Sequence, residues 1–230
     1  MNRVKIAPSI LAADQANLKT EIGRVEDAGA DMIHVDVADG HFAPNISMGP
    51  DTVRSIRPVT RLPLDTHLMI SEPEKFVEPF LKAGSDIVTI HGEVVSAEQF
   101  SRLSRLIRSK GKKAGLALKP STALPNWFKD QIVNIDLLLV LSVNPGFPGQ
   151  KFMPEVLPKV ETAAKLASTH AFEIEVDGGV DHENAHRIVK AGATTLVAGA
   201  SIFGRDDVKS ALRDLRTAAN HTLQEVHTKC

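Results

Sequence analysis

The sequence predicts an α/β protein folded as a (β/α)8 TIM barrel of eight parallel strands. Short apolar runs alternate with longer amphipathic runs, and an alanine-glycine joint recurs between a helical run and the next strand-like run. The 230 residues also divide into eight units of about 29 residues, the size of a βα pair. An open, doubly wound sheet is the alternative that the same alternation allows. We expect one domain over residues 1–230, with a polar C-terminal tail over about 220–230.

The strand-like runs are short and rich in apolar residues. They are Lys5–Leu11, Met32–Val37, Leu64–Met69, Ile87–His91, Lys113–Leu118, Leu137–Ser142, Glu173–Asp177 and Thr195–Ala198. The helical runs repeat apolar residues at three- and four-residue spacing, as Leu18, Ile22 and Val25 do. They are Leu18–Ala28, Glu74–Ala83, Ala97–Lys110, Glu155–Ala167, Asn184–Ala191 and Val208–Ala219. The segments after the second and fifth strands are short, and their structure is left open.

A glycine separates a helical run from the next strand at three places. A glycine just past a helix end can adopt the left-handed conformation that stops the helix. The joints therefore mark the ends of βα units. They read Ala28-Gly29-Ala30-Asp31, Ala83-Gly84-Ser85-Asp86 and Ala191-Gly192-Ala193-Thr194.

Composition limits the classes of partner. Hydrophobic residues make up 43% of the chain, charged residues 24%, and the net charge is −1. These values are typical of a soluble globular protein and argue against a dedicated nucleic-acid binder. No run approaches the roughly 18 apolar residues of a membrane span, and we expect no signal peptide. The single cysteine, Cys230, is compatible with a reducing compartment. We expect a cytoplasmic homo-oligomer with no nucleic-acid and no membrane partner.

Polar side chains stand at the carboxyl ends of three strands, where barrels of this kind place their active sites. Strand alternation puts His34 and Asp36 on the inward face of the second strand, and it turns His67 and Asp177 inward on the third and seventh. Burying two carboxylates without a counter-charge is unfavourable. Two imidazoles with two carboxylates suit zinc, iron, cobalt or manganese. We therefore predict one divalent metal ion held by these four residues, although a structural hydrogen bond is the alternative for an isolated His-x-Asp pair.

Other residues at inward positions extend the prediction below and around this cluster. Lys5, Asp65 and Glu175 share strand parity with the inward residues, so we expect them inside the barrel. Charges there must be paired or solvated, which predicts at least one salt bridge below the metal layer. His91 ends the fourth strand without an evident partner, and we favour a structural or supporting role for it.

Glycine-rich loops follow the last three strands. Glycines let main-chain amides approach an anion closely, and the loops after strands seven and eight of such barrels frequently bind phosphate. A short helix near Ser201 would add its positive end. Tight turns alone are the alternative for any one loop. The loop Asp39–Ser47 is long enough to arch over the site as a lid rim. The candidate phosphate cradle comprises Gly146, Phe147, Pro148, Gly149, Gly178, Gly179, Gly199 and Ala200.

Together and in this order, these segments resemble the ribulose-phosphate 3-epimerase family. The resemblance runs from Ile6 to about Phe203. It is carried by Ala7-Pro8-Ser9-Ile10-Leu11, His34-Val35-Asp36, Asp39-Gly40-His41-Phe42, Pro44-Asn45-Ile46, Asp65-Thr66-His67-Leu68-Met69, Ser142-Val143-Asn144-Pro145-Gly146-Phe147, Glu175-Val176-Asp177-Gly178-Gly179 and Val197-Ala198-Gly199.

The resemblance implies a ribulose-phosphate-binding barrel and an isomerase of the pentose-phosphate pathway, in carbohydrate metabolism. It implies one divalent metal ion per subunit on His34, Asp36, His67 and Asp177, with Asp36 and Asp177 doubling as the acid/base pair. The sugar-phosphate substrate would be contacted by Ser9, His67 and Asp177, and also by the glycine loops. The expected reaction interconverts D-ribulose 5-phosphate and D-xylulose 5-phosphate by two-base proton transfer at C3, through a metal-stabilised enediolate.

The chain departs from the family pattern at four positions. Ala38 and Leu141 replace two of the methionines that usually surround the metal. Pro148 replaces a glycine and removes one N–H donor, and Ala200 replaces a serine. These changes bear on substrate preference, turnover and phosphate affinity.

Three other functions are compatible with parts of the pattern. The first is 3-epimerisation of a hexulose 6-phosphate such as allulose 6-phosphate, since Ala38 would leave a roomier mouth. The second is a non-catalytic sugar-phosphate sensor, against which the retention of both candidate bases argues. The third is a decarboxylating lyase, which is disfavoured because related lyases use Asp-x-Lys-x-x-Asp and no lysine stands near Asp36.

Overall fold

The computed structural model describes residues 3–227, and over this range eight parallel strands form a nearly closed barrel. Neighbouring strands follow the order β1-β8-β7-β6-β5-β4-β3-β2. The strands are β1 (Lys5–Pro8), β2 (Ile33–Ala38), β3 (Leu64–Met69), β4 (Ile87–His91), β5 (Lys113–Leu118), β6 (Leu137–Leu141), β7 (Glu173–Asp177) and β8 (Thr195–Ala198). The predicted barrel is confirmed, and the open doubly wound sheet is excluded.

The first and second strands close the ring through a few contacts. A parallel bridge joins Ser9 to His34, and the Asp31 N–H donates to the Ile6 carbonyl at 3.0 Å. Strand β1 ends at Pro8, three residues before the predicted end, because Ser9 caps a 3₁₀ turn over Ile10–Ala12. This early end brings the Ser9 hydroxyl to the mouth of the barrel.

Helices connect the strands on the outside. They are α1 (Leu18–Asp27), α2 (Pro50–Ile56), α3 (Val77–Ala83), α4 (Ala97–Ser109), α5 (Phe128–Gln131), α6 (Leu157–Ala167), α7 (Ala185–Lys190), α8 (Ala200–Phe203) and α9 (Val208–His227). Each of the six predicted helical runs contains a helix, and the two open segments contain α2 and α5. Helix α9 continues into the stretch expected to be a polar tail, and residues 228–230 lie outside the described range.

The glycines of the recurring alanine-glycine joint adopt the predicted left-handed conformation. Gly29, Gly84 and Gly192 have φ values of 88°, 112° and 112°, all in the left-handed region. Each follows a helix end and turns the chain back toward the barrel. A side chain at these positions would be strained by its backbone conformation alone.

Strand alternation divides the buried residues into two layers. Outward side chains such as Val35, Leu68 and Val176 belong to the large apolar cluster between strands and helices. Inward side chains such as Ala117, Leu139 and Val197 form a smaller cluster inside the barrel. The interior is therefore apolar on the β5, β6 and β8 sides, and its polar residues concentrate on β2, β3 and β7.

Charged residues occupy the lower interior, as predicted. Asp65 and Glu175 are fully buried there. At the amino-terminal opening, the Lys5 and Lys113 ammonium groups lie 2.7 and 2.8 Å from the same Glu173 oxygen. The expected salt bridge below the metal layer is confirmed, although the Lys5 side chain remains 38% exposed because β1 begins at the rim.

The structure also bears on membrane association. Among the described residues, no helix is both long enough and apolar enough to cross a membrane.

Candidate active site

Four of the predicted residues meet at the carboxyl end of the barrel. His34, Asp36, His67 and Asp177 are all buried, and one ligand atom from each lies within 4.8 Å of the others. The two histidine rings approach the same carboxylates. Asp36 Oδ1 is 3.3 Å from His34 Nε2 and 3.1 Å from His67 Nδ1. Asp177 Oδ2 is 3.8 and 3.5 Å from the same two nitrogens. The convergence expected from strand parity is thus present.

His34 is oriented from below by Asp65. Its Nδ1 lies 2.7 Å from Asp65 Oδ2, and both side chains are fully buried. An ionised carboxylate can only accept, so this bond leaves His34 Nε2 as the nitrogen that faces Asp36 and Asp177. That Nε2 atom is buried and has no hydrogen-bond partner among the described residues. An unpartnered imidazole nitrogen beside two carboxylates fits a site for a divalent cation.

His67 is contacted from the opposite side by a second histidine. Its Nε2 lies 2.9 Å from Nε2 of His91, and the two rings stack with centroids 5.0 Å apart. The other His91 nitrogen, Nδ1, lies 2.9 Å from Glu93 Oε2. Burial lowers the pKa of His91 to about 4, although the Glu93 hydrogen bond opposes this shift. His91, predicted to have a structural or supporting role, therefore lies directly behind a candidate ligand.

The pKa values of the two aspartates are displaced in opposite directions in the metal-free site. Burial raises the pKa of Asp36, but His34 and His67 outweigh this effect and hold it well below its usual range. Burial and the neighbouring Asp36 charge raise the pKa of Asp177 despite the two histidines. One carboxylate therefore favours the charged form and the other the protonated form, as an acid/base pair requires.

A further carboxyl group lies beneath the cluster. Glu175 Oε1 is 3.6 Å from His34 Nδ1, and Glu175 is fully buried. Burial raises the pKa of Glu175 well above its usual range, and the nearby Asp65 and Asp177 charges raise it further. Burial beside two other carboxylates therefore favours the neutral form of Glu175.

A cavity of about 330 Å³ opens above the four residues. Asp36 and Asp177 line its floor, whereas His34 and His67 lie below it with no exposed surface. Ten predicted substrate-binding residues line the cavity, and the eleventh, His67, does not. Those ten are Ser9, Gly146, Phe147, Pro148, Gly149, Asp177, Gly178, Gly179, Gly199 and Ala200.

The glycine loops form one wall of the cavity. Among the described residues, the backbone N–H groups of Gly178, Gly179, Gly199 and Ala200 donate to no other group. No lysine or arginine lines the described cavity, so main-chain donors are the groups available to an anion there. The Ser201 hydroxyl, which follows Ala200, donates to the Val180 carbonyl at 2.7 Å and fixes the β7 and β8 loops to each other.

Gly179 has the tightest surroundings in this wall. Its φ is +64°, and an added Cβ would overlap backbone atoms of Gln150 and Phe152. The loop after β6 therefore rests directly on the loop after β7. Gly149, across the cavity wall, has a similar φ of +77° but nothing within 4 Å of an added Cβ.

The loop over residues 39–47 covers the other side of the mouth, as expected of a lid rim. Asp39 accepts hydrogen bonds from the backbone N–H groups of His41 and Phe42 and from both N–H and hydroxyl of Ser71. These bonds hold the Phe42 ring over His91, with centroids 4.4 Å apart. At the loop tip, the Asn45 side chain donates to the Gly146 carbonyl at 2.7 Å. The lid rim and the β6 loop are thus joined.

Two of the four positions at which the chain departs from the family pattern lie near the mouth of the barrel. Ala38 is buried with Ala43 and Met69, the half-buried Phe42 packs against them, and Ala38 does not line the described cavity. Leu141 does line the cavity. The contact between Glu93 and His91 was not predicted. Its only sequence signal is the His-x-Glu pattern at the end of β4.

The chain was compared with known proteins. A model of the ribulose-phosphate 3-epimerase family matches residues 5–203. The ribulose-phosphate 3-epimerase of Bacillus subtilis is 47% identical over 219 residues, which cover 93% of this chain and 98% of the relative. The chloroplastic ribulose-5-phosphate-3-epimerase of Arabidopsis thaliana is 45% identical, over 93% of this chain and 76% of the relative.

Solved structures with low sequence identity share the fold. A 3-hexulose-6-phosphate synthase from Salmonella typhimurium superposes with a TM-score of 0.69 at 16% identity, covering 95% of this chain and 99% of that one. This likeness supports the barrel architecture alone. The family match and the close relatives confirm the resemblance found in the sequence: the chain belongs to the ribulose-phosphate 3-epimerase family and is an isomerase.

Proposed function

We propose that the protein is a divalent-metal-dependent 3-epimerase that interconverts D-ribulose 5-phosphate and D-xylulose 5-phosphate by two-base proton transfer at C3. The observation that carries the proposal is the pair of buried aspartates on the cavity floor. Asp36 on β2 and Asp177 on β7 are separated by β1 and β8 around the ring. A substrate carbon between them would present one face to each carboxylate.

The opposite displacement of the aspartate pKa values supports this division of labour. Epimerisation removes the C3 proton from one face and returns a proton to the other. An ionised carboxylate accepts the first proton, and a protonated carboxyl group supplies the second. After each turnover the two groups have exchanged protonation states, which suits a freely reversible reaction. Because the groups interact closely, their proton equilibria belong to the pair.

The donor set fits one divalent cation held by His34, Asp36, His67 and Asp177. Its nitrogen and oxygen atoms are compatible with zinc, iron, cobalt or manganese. When bound, such an ion supplies Lewis-acid chemistry that stabilises negative charge on the substrate's ketone and hydroxyl oxygens. The charge of the ionised aspartate offsets part of the ion's charge of +2.

Residues around the floor would orient the substrate. The Ser9 hydroxyl donates to Asp36 Oδ2 at 2.6 Å and fixes the rotation of that carboxylate, while it also lines the cavity. The unoccupied N–H groups of Gly178, Gly179, Gly199 and Ala200 would receive the phosphate, which places C3 over the aspartates. Positioning of this kind lowers the barrier by restricting the substrate before reaction.

Incubation with D-ribulose 5-phosphate in D₂O tests the proposal. We expect xylulose 5-phosphate to form with deuterium at C3, and we expect a chelator to abolish its formation. Formation of product without deuterium, or with undiminished rate after metal removal, would contradict the two-base or the metal-dependent part. Release of carbon dioxide would indicate a lyase, and no turnover would favour a sensor. Ala38 does not line the described cavity, so its small side chain does not by itself favour a longer hexulose substrate.

A further inference from the structure

His67 can face the aspartates as a ligand only if its Nδ1 atom carries no proton. Nδ1 is the nitrogen 3.1 Å from Asp36 and 3.5 Å from Asp177. In a neutral histidine one nitrogen carries the proton, so the proton of a ligating His67 must be on Nε2. The neighbour of Nε2 therefore decides whether His67 is a competent ligand.

That neighbour is Nε2 of His91, 2.9 Å away. Only one of the two facing nitrogens can carry the shared proton. If His91 held it, His67 would be protonated on Nδ1 and would point an N–H group at Asp36. If His67 holds it, His91 must offer a bare Nε2 and carry its own proton on Nδ1.

Glu93 selects the second arrangement. Its Oε2 lies 2.9 Å from His91 Nδ1, and its Oε1 accepts from the Lys119 backbone N–H at 2.7 Å. One carboxylate oxygen thus accepts from a backbone donor, and the other faces His91 Nδ1. Burial raises the pKa of Glu93, but hydrogen bonds from His91, Lys119 and Thr122 lower it to about 2. An ionised carboxylate in this position can only accept, which keeps the His91 proton on Nδ1.

We propose that Glu93 and His91 are positioning residues that fix the ring nitrogen through which His67 faces the metal site. The inference rests on the metal-dependent function proposed above. The hydrogen-bond order runs from His67 Nε2–H to His91 Nε2, and from His91 Nδ1–H to Glu93 Oε2. Neither residue lines the described cavity, so their effect on substrate is exerted through His67. The Phe42 ring packs against His91 at a tilt, with ring centroids 4.4 Å apart, and covers this hydrogen-bonded pair from the lid side.

Glu93→Gln tests the polarity of the arrangement with almost no change in size. Glutamine has one acceptor and two donor hydrogens, so it cannot accept from both His91 Nδ1 and the Lys119 N–H. In Glu93→Gln, either the glutamine NH₂ group faces another N–H donor, or one of the two hydrogen bonds is lost. Glu98→Gln is the matched control because Glu98 lies in the exposed first turn of α4 and undergoes the same chemical change.

Two measurements on each protein test whether Glu93 fixes the proton position of His67. The first is the affinity for Zn²⁺ alone, by competition with a chromogenic chelator. Changes behind metal-binding histidines typically cost about 10–100-fold in affinity, and we expect a loss of that size for Glu93→Gln and none for Glu98→Gln. The second is ¹⁵N NMR of the zinc-loaded proteins. We expect His67 in the wild type to bind through Nδ1 with a proton on Nε2, and we expect this signature to be lost or mixed in Glu93→Gln.

The outcomes separate this inference from the function on which it rests. Wild-type zinc binding with unchanged affinity and an unchanged His67 signature in Glu93→Gln would overturn the inference and leave the metal site intact. Weakened affinity with an unchanged His67 signature would also overturn it. A wild-type protein that binds no zinc would contradict the metal-dependent function and this inference together. If Glu93→Gln folds poorly, His91→Leu carries the same test, because it removes the acceptor for the His67 proton and keeps an apolar contact with Phe42.

Discussion

Replacement of Gly179 by alanine tests how the glycine loops pack in the cavity wall that is proposed to bind the phosphate. At a φ of +64°, a side chain costs about 1–2 kcal/mol of backbone strain. The added Cβ also overlaps the backbone of Gln150 and Phe152, and such overpacking costs about 1–3 kcal/mol. The two effects give an expected loss of about 2–5 kcal/mol in the free energy of unfolding. Relief of the overlap requires the loop after β6 to move away from the cavity.

Alanine substitutions at two other glycines separate the cost of the Cβ overlap from the cost of backbone strain. Gly149 and Gly111 have φ values of +77° and +69°, and nothing lies within 4 Å of an added Cβ at either position. Gly149 lines the cavity, whereas Gly111 lies at the amino-terminal end of the barrel before β5. All three Gly→Ala changes affect the unfolded chain similarly. Gly179→Ala should therefore be less stable than either control by the overlap alone, about 1–3 kcal/mol.

Denaturant unfolding and steady-state kinetics provide the assay. Displacement of the loop should also remove phosphate contacts, so KM for D-ribulose 5-phosphate should rise about tenfold or more in Gly179→Ala, which corresponds to about 1.4 kcal/mol. Gly111→Ala should leave KM unchanged. Equal stability of Gly179→Ala and Gly149→Ala would refute the packing argument. An unchanged KM in Gly179→Ala would refute the assignment of this wall to the phosphate.

Two further changes test the floor of the site. Ser9→Ala removes the 2.6 Å hydrogen bond to Asp36. A hydrogen bond to a charged group is worth about 1.5–3 kcal/mol, so kcat/KM should fall about 10–100-fold. A fall of less than twofold would refute the role of Ser9 in fixing Asp36. Zinc binding at pH 7 should release protons. Burial lowers the pKa of His34, but Asp36 and Asp65 raise it well above its usual value in the metal-free site, and metal binding displaces such protons. Calorimetry in two buffers of different ionisation enthalpy measures this proton release. The release should decrease as the pH rises above the pKa of His34. Identical heats of binding in both buffers would contradict a protonated His34 in the metal-free protein.

Residues on regular strands were predictable because alternation fixes which face they occupy. His34 and Asp36 lie two positions apart on β2, and the same parity places His67, Asp177, Asp65 and Glu175 inside the barrel. Five of the eight strand ranges agree with the structure at both ends. The end of β1 was predicted too late because Ser9, within an apolar run, caps a 3₁₀ turn.

Contacts that depend on loop conformation were not predictable in the same way. Glu93 reaches back to His91 because a 3₁₀ turn over Gly92–Val94 follows β4, and no strand period encodes that turn. Two of the four hydrogen bonds on Asp39 likewise come from Ser71, which lies in a different loop. The packing of Phe42 and Ala43 near Ala38 also depends on the conformation of the lid loop. In each case the conformation of a loop, and not the strand period, sets the position of the side chain.

The central claim is that Asp36 and Asp177 are opposed bases acting on one carbon, and isotope exchange by metal-loaded Asp36→Asn and Asp177→Asn tests it most directly. Each change preserves size but removes a proton acceptor, so epimerisation should fall by at least about 10²–10⁴. In D₂O, one variant should exchange the C3 proton of ribulose 5-phosphate slowly without inversion. The other should exchange only the C3 proton of xylulose 5-phosphate. Near-normal epimerisation by either metal-loaded variant, or the same exchange pattern in both, would contradict the account.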